Sequence, residues 1–208
     1  MSHRAFDERV RHEYAHLAPH YDRRWRVYLD RSLEATLARL PIDGGESILD
    51  VGCGSGELLH RLHARYPDTR LTGIDASAAM LTTARAKLAA DVQLACGRAA
   101  MQPFPGARFD LVVSTSVLHH LPEPEAALAE IRRVLKPGGR LVLTDWCGDF
   151  LSCRLMQLWL RIRQRPIGRV YRGAECRRLL KRAGFRVRQI DRYRINWPWG
   201  LMTLTAET

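Results

Sequence analysis

Lysine is nearly missing from this chain. Of its 33 basic residues only three are lysine. Codon bias in a GC-rich genome would explain that choice of arginine, so it says little about partners. No apolar run approaches the ~20 residues of a membrane span, and Met1 to Phe6 carries no secretory apolar core. Cysteine is sparse and scattered, at positions 53, 96, 147, 153 and 176, odd in number and without C-x-x-C spacing. That argues against a disulfide framework and against a zinc site, so no metal and a reducing cytoplasm are expected. Acidic residues all but vanish from one segment. Residues 150–194 hold 14 basic residues against Glu175 and Asp191, a net +12, whereas residues 1–149 hold 19 of each sign. Codon bias does not account for missing acids.

The most telling stretch that is present runs Ile48-Leu49-Asp50-Val51-Gly52-Cys53-Gly54-Ser55-Gly56-Glu57-Leu58. An apolar strand ends in a carboxylate, a G-x-G-x-G loop follows, and a helical pattern begins. Such a loop lets backbone approach a ligand, and the helix N-terminus offers free N–H groups. A dinucleotide fingerprint would read G-x-G-x-x-G; here Glu57 follows Gly56 directly. A second strand, Leu71-Thr72-Gly73-Ile74-Asp75, also ends in a carboxylate, 19 residues beyond Gly56. That is where an acceptor for ribose hydroxyls belongs. The plainer alternative makes Asp75 a helix cap for Ser77 onward.

Apolar runs alternate with helical patterns along the rest of the chain. Strands are expected near 47–51, 70–75, 92–95, 109–113 and 140–145, and helices near 57–65, 77–89, 123–135 and 173–183. Two N-terminal helices precede them, and two strand-like pieces, Phe185–Tyr193 and Leu201–Thr205, follow. The alternation predicts an α/β fold with a parallel sheet and helices on both faces. Ligands then lie beyond the carboxyl ends of the strands.

Together with Tyr14…Tyr21-Asp22, Phe109-Asp110-Leu111-Val112-Val113, Val117-Leu118-His119-His120-Leu121 and Arg133-Val134-Leu135-Lys136-Pro137-Gly138-Gly139, these motifs resemble the class I S-adenosylmethionine-dependent methyltransferases. More specifically, they resemble methyltransferase type 11, the broad group that includes the ubiquinone/menaquinone C-methyltransferases, over residues 14–185. The resemblance implies one Rossmann-like, doubly wound domain over 1–208, with a mostly parallel seven-stranded sheet closed by a C-terminal antiparallel hairpin. It implies N-terminal lid helices over 1–40 and a substrate-lid insertion over 146–172. S-adenosyl-L-methionine is the implied cofactor and methyl transfer (EC 2.1.1.-) the implied activity.

The cofactor-binding positions carried over by this likeness are Asp50, Gly52, Cys53, Gly54, Gly56, Asp75, Ala76, Met80, Ala99 and Ser114, with Tyr14 and Tyr21 as lid tyrosines. Met80 equally suits a core face, and both tyrosines equally suit lid packing. Relatives often carry Gly-Asp-Ala after the third strand; this chain has Gly97-Arg98-Ala99. Arginine has no acceptor for the adenine amino group, so either the backbone near Ala99 holds adenine or Arg98 turns outward. His119 is the candidate catalytic or acceptor-orienting residue, because the first histidine of the related pattern points toward the site; the alternative is a helix-start histidine bonding backbone. His120 is expected to be structural.

Ser114-Thr115-Ser116-Val117 ends the fourth strand where an Asn/Asp-Pro-Pro-aromatic tetrapeptide would signal amide or adenine methylation, and no Pro-Cys nucleophile follows. Those absences argue against amide, adenine and cytosine C5 methylation; a small-molecule acceptor, apolar or amphiphilic and quinone- or lipid-like, is favoured together with the lid segment. In 150–166, Phe150, Leu151, Leu155, Leu158, Trp159 and Ile162 suit one apolar face with arginines at its end. That pattern fits a lid helix, or a basic amphipathic helix peripheral to an anionic membrane. An RNA methyltransferase using the basic 150–194 segment is the first alternative. An NAD-dependent oxidoreductase and a non-catalytic cofactor-binding regulator stand behind it.

Overall fold

Alternating side chains along the strands divide the interior between two sheet faces. In β1 (Ser47–Val51) Ile48 joins Leu111 and Val113 of β4 (Phe109–Thr115) on one face, while Leu49 and Val51 join Val112 on the other. The first face is covered by Leu33 and Leu37 of α2 (Tyr21–Leu37) and by Leu58, Leu59 and Leu62 of α3 (Glu57–Arg65). Leu128, Ile131 and Val134 of α5 (Pro124–Val134), with Leu179 and Leu180 of α7 (Gly173–Arg182), cover the second. Each fully buried leucine contributes about 1.5–3 kcal/mol, so both faces are needed to hold the fold.

The computed structural model describes residues 3–208. Its seven strands run in the order β3-β2-β1-β4-β5-β7-β6, with β2 spanning Arg70–Asp75, β3 Gln93–Cys96, β5 Leu135–Trp146, β6 Arg186–Arg194 and β7 Gly200–Glu207. β1 to β5 pair in parallel, and β7 runs antiparallel to both β5 and β6. This is the Rossmann-like sheet with a C-terminal hairpin that the sequence implied. The strand order reverses between β1 and β4, which opens a crevice above their carboxyl ends.

Three boundaries differ from expectation for local reasons. α1 (His3–Leu17) and α2 are split by a 3₁₀ turn, Ala18–His20, because Pro19 has no N–H to give. α4 (Ala78–Arg85) stops four residues early, since both Lys87 and Leu88 bond back to the Ala84 carbonyl and tighten the chain. Lys136–Gly139 turns inside β5: Leu135 pairs with Phe109, and the register then jumps to Arg140 opposite Leu111.

α6 (Leu151–Ile162) is the exception to the burial pattern. Only Cys153 of this helix is fully buried. Its C-terminal end leads into a loop, 163–172, that returns along the carboxyl edge of the sheet.

Candidate active site

The glycine loop is stapled to the end of β2. The N–H groups of Gly52 and Cys53 both donate to the Ile74 carbonyl, at 2.8 and 3.1 Å. Gly52 has φ +75°, and a Cβ there would meet a Val117 methyl at 2.3 Å. Any side chain would thus be strained and would also displace the cleft wall. Gly54, at φ +53°, aims its N–H at Asp75 Oδ2, 2.9 Å away.

Asp75 is therefore oriented from both sides, because the Ser77 N–H also donates to its Oδ1 at 2.8 Å. The Ala76 N–H also acts on the carboxylate, which with about four lone-pair sites keeps acceptor capacity to spare. Burial raises its pKa even against these backbone donors. Asp75 lines a cleft of about 480 Å³ with Tyr14, Tyr21, Gly52, Gly54, Ala76, Met80 and Ala99. That volume lies in the range of cofactor and small-ligand sites, roughly 300–1,000 Å³.

The opposite wall is a 3₁₀ turn, Leu118–His120. Such a turn rotates about 120° per residue, so adjacent side chains diverge. His119 turns inward: its Nδ1–H donates to Asp145 Oδ1 at 2.5 Å and its ring stacks on Trp146 at 4.8 Å. It is 3% exposed and does not line the cleft. His120 does line it. The expected orientation of the two histidines is thus reversed, because Asp145 at the end of β5 captures the first ring. This Asp–His contact ties the turn to the sheet.

His120 is held in one tautomer. The Pro166 carbonyl, 3.1 Å from Nδ1, can only accept, so Nδ1 carries the proton. Burial and the neighbouring His119 hold its pKa well below the usual 6.5, so the ring is neutral. Nε2 is then the acceptor for the Tyr14 hydroxyl at 2.9 Å. Burial raises the Tyr14 pKa and keeps that hydroxyl protonated. Tyr14 comes from α1, so this one bond spans the cleft and ties the N-terminal helix across it. α2 is fixed alongside by Asp22, which accepts from Ser55 and Lys87.

Four of the positions carried over from sequence stand behind the cleft. Asp50 is 1% exposed, its Oδ1 has no partner, and burial beside Asp75 pushes its pKa up to about 8. Cys53 is buried against the α3 side of the sheet, Gly56 caps α3, and Ser114 donates to the Val51 carbonyl at 3.0 Å. Arg98 lines the rim and pairs outward with Glu123 at 3.4 Å. Ser116, at the strand end where the parallel-sheet argument puts the ligand, lines the cleft with φ +59° and bonds the Tyr28 hydroxyl at 2.6 Å. A serine in left-handed backbone at a strand end marks stored strain, and no sequence pattern signals that strain. Sequence reasoning missed the Pro166 carbonyl, which reaches the site only through the fold.

The residues present fit S-adenosylmethionine. Glycines that admit no side chain, a carboxylate with spare acceptor sites and an aromatic pair share one cleft at the reversal point of the sheet. A family model described as "Methyltransferase domain" matches residues 49–143. An O-methyltransferase of Aspergillus sclerotiorum is 31% identical over 186 residues, covering 86% of this chain and 69% of that one. Trans-aconitate 2-methyltransferase of Paracidovorax citrulli is 36% identical over 58% of this chain and 46% of its own. The chain spans about half the length of several curated relatives that it matches. A chain in the complex between the Haloferax volcanii Trm112 methyltransferase activator and a methyltransferase superposes with TM-score 0.82, at 22% identity over 94% of this chain and 97% of that one. The chain belongs to the class I S-adenosylmethionine-dependent methyltransferases, in the type 11 group.

Proposed function

We propose that this methyltransferase acts on a small apolar or amphiphilic acceptor, quinone- or lipid-like in character. The observation that carries the reading is the apolar share of the cleft's lining. Val10, Val117, Leu121 and Pro122 line the same cleft as the Tyr14–His120 pair. Such a wall favours an apolar body and offers one proton acceptor.

In this reading the Gly52 and Gly54 backbone takes the methionine end of the cofactor and Asp75 the ribose hydroxyls. Ala76 and Met80 flank adenine, and the backbone at Ala99 meets its edge. Tyr21 and Tyr14 close over the sulfonium, whose charge an aromatic face favours. Asp50, Cys53, Gly56 and Ser114 act from behind by fixing the loop. When bound, the cofactor supplies an electrophilic methyl group, so the protein has to align the nucleophile and exclude water. The base role expected of His119 passes to His120, whose Nε2 receives the proton of a protonated nucleophile. His119 is then a positioning residue.

A carboxylic-acid acceptor is the second reading. Arg11 lines the same cleft, and a relative methylates trans-aconitate by name. Transfer from methyl-labelled S-adenosylmethionine should be measured against prenylated quinols, phospholipid amines and tricarboxylic acids in parallel. Turnover confined to the first two supports the apolar reading. Turnover confined to the acids overturns it, as would NADH binding without S-adenosylhomocysteine binding.

A further inference from the structure

α6 carries a row of large apolar side chains turned to solvent. Leu151, Leu155, Leu158, Trp159 and Ile162 are between 51% and 70% exposed. At 3.6 residues per turn they fall within an arc of about 100°. Arg154 and Arg161 border one edge of that arc and Arg163 the other, its guanidinium over the Trp159 ring at 5.3 Å. Among the described residues none of these three arginines has a carboxylate partner. Arg161 donates to the Gly168 carbonyl instead. The helix itself contains no acidic residue.

We propose that α6 docks on an anionic lipid bilayer. It lies along the surface, with the apolar arc in the acyl boundary and the bordering arginines on lipid phosphates. An apolar face flanked by arginine on both sides complements an anionic headgroup layer. The helix has 12 residues, about 18 Å of rise. It is too short to cross a membrane, and no helix among the described residues is long and apolar enough to do so. A second copy on the same face would set arginine edge against arginine edge, which like charges oppose. An aliphatic row offers single-stranded RNA few rings to stack on. Trp197, 83% exposed between β6 and β7, adds an interfacial aromatic beside the start of the helix. Arg194 joins the two by donating to Ser152 Oγ at 3.3 Å and to the Trp197 carbonyl at 2.8 Å.

The docked helix is also wired to the cleft. Gln157 and Arg161 both hold the Gly168 carbonyl. The Gly168 N–H donates to the His119 carbonyl at 2.8 Å, and Pro166 receives His120. Insofar as the acceptor is amphiphilic, as proposed above, the bilayer is its reservoir.

The test is sedimentation of the full chain with vesicles of phosphatidylcholine alone or mixed with phosphatidylglycerol, at low and high salt. Binding to the anionic vesicles only, weakened by salt, is expected. R154Q/R161Q/R163Q should weaken it roughly a hundredfold at low salt, and L155D/L158D should abolish it. Both variants place changes on solvent-facing positions, and thermal unfolding checks that they fold. No binding to anionic vesicles would overturn the proposal, and so would binding that both variants leave intact. Concentration-dependent dimerisation removed by L155D/L158D, or RNA binding that outcompetes vesicles, would overturn it too. Sedimentation needs neither cofactor nor acceptor. Its failure therefore counts against the docking surface alone, whereas failure to bind S-adenosylhomocysteine counts against the cofactor reading alone.

Discussion

The glycine-loop half of the molecule and the α6 half solve different problems, and their charges show it. Around α3 the ions are matched: Lys87 meets Asp22 and Glu57, and Arg61 meets Asp30, Glu34 and Glu57. On α6, Arg154, Arg161 and Arg163 stand along an exposed apolar row with no carboxylate partner among the described residues. The first half builds its side of the cleft from a glycine loop and one carboxylate. Such a site depends on chain path, so it is written locally as glycine spacing and strand ends. The second half brings together Tyr14 of α1, His120 of the histidine turn and the Pro166 carbonyl of the loop after α6. Its pieces lie far apart in sequence and come together only on folding.

Breaking the histidine turn should give the largest effect and should separate its two rings. His120→Gln is expected to lower the methyl-transfer rate by about 10²–10⁴-fold, the worth of a positioned base, while S-adenosylhomocysteine affinity stays near wild type. Because His120 is held neutral well below pH 6.5, the acid limb of the rate profile should lie below that value. His119→Ala should instead lower thermal stability by about 1–3 kcal/mol, since it leaves Asp145 buried with one partner lost. Equal rate losses in the two variants, with unchanged melting, would contradict the assignment.

Asp75→Ala comes next. Losing an ionised acceptor is worth about 1.5–3 kcal/mol, or roughly 10- to 150-fold in S-adenosylhomocysteine affinity. Calorimetric titration that gives wild-type affinity would show that Asp75 only caps α4.

These two sites also differ in how far they were legible. β1, the glycine loop and Asp75 could be read directly, because each needs a particular residue type at a particular step of the chain. Asp75 bonds the Ser77 N–H, as a helix cap does, and also lines the cleft. The histidine pair was legible as a motif but not in orientation. Which ring faces the cleft is decided by Asp145, 26 residues away, and no local periodicity carries that. The apolar row of α6 was visible at helical spacing, but its exposure was not, because burial depends on whether another element packs over it. Cys53 and Ser114 were drawn toward the site by their neighbours in the motif, yet their side chains point into the sheet's packing.

The last effect, read in stability rather than in turnover or affinity, falls on the seam between the loop and the core, at Asp50. Its unfolded pKa is near 3.8 and its folded pKa is pushed up to about 8 by burial and by Asp75. Between those values the native chain keeps a proton that the unfolded chain has released. Linkage then makes stability fall as pH rises through this window, and the contribution is fully lost above pH 8. Asp50→Asn cannot ionise, so it lacks this loss. The melting temperature of the variant should therefore gain on the wild type between pH 5 and pH 9, by about 2–4 °C for each kcal/mol relieved. The difference between the two curves is what matters, because the amide has its own cost at every pH. Parallel curves would mean that Asp50 is ionised in the folded protein, with a partner for its Oδ1 that the closed cleft does not provide. In that case the seam would belong to the cofactor site rather than to the core.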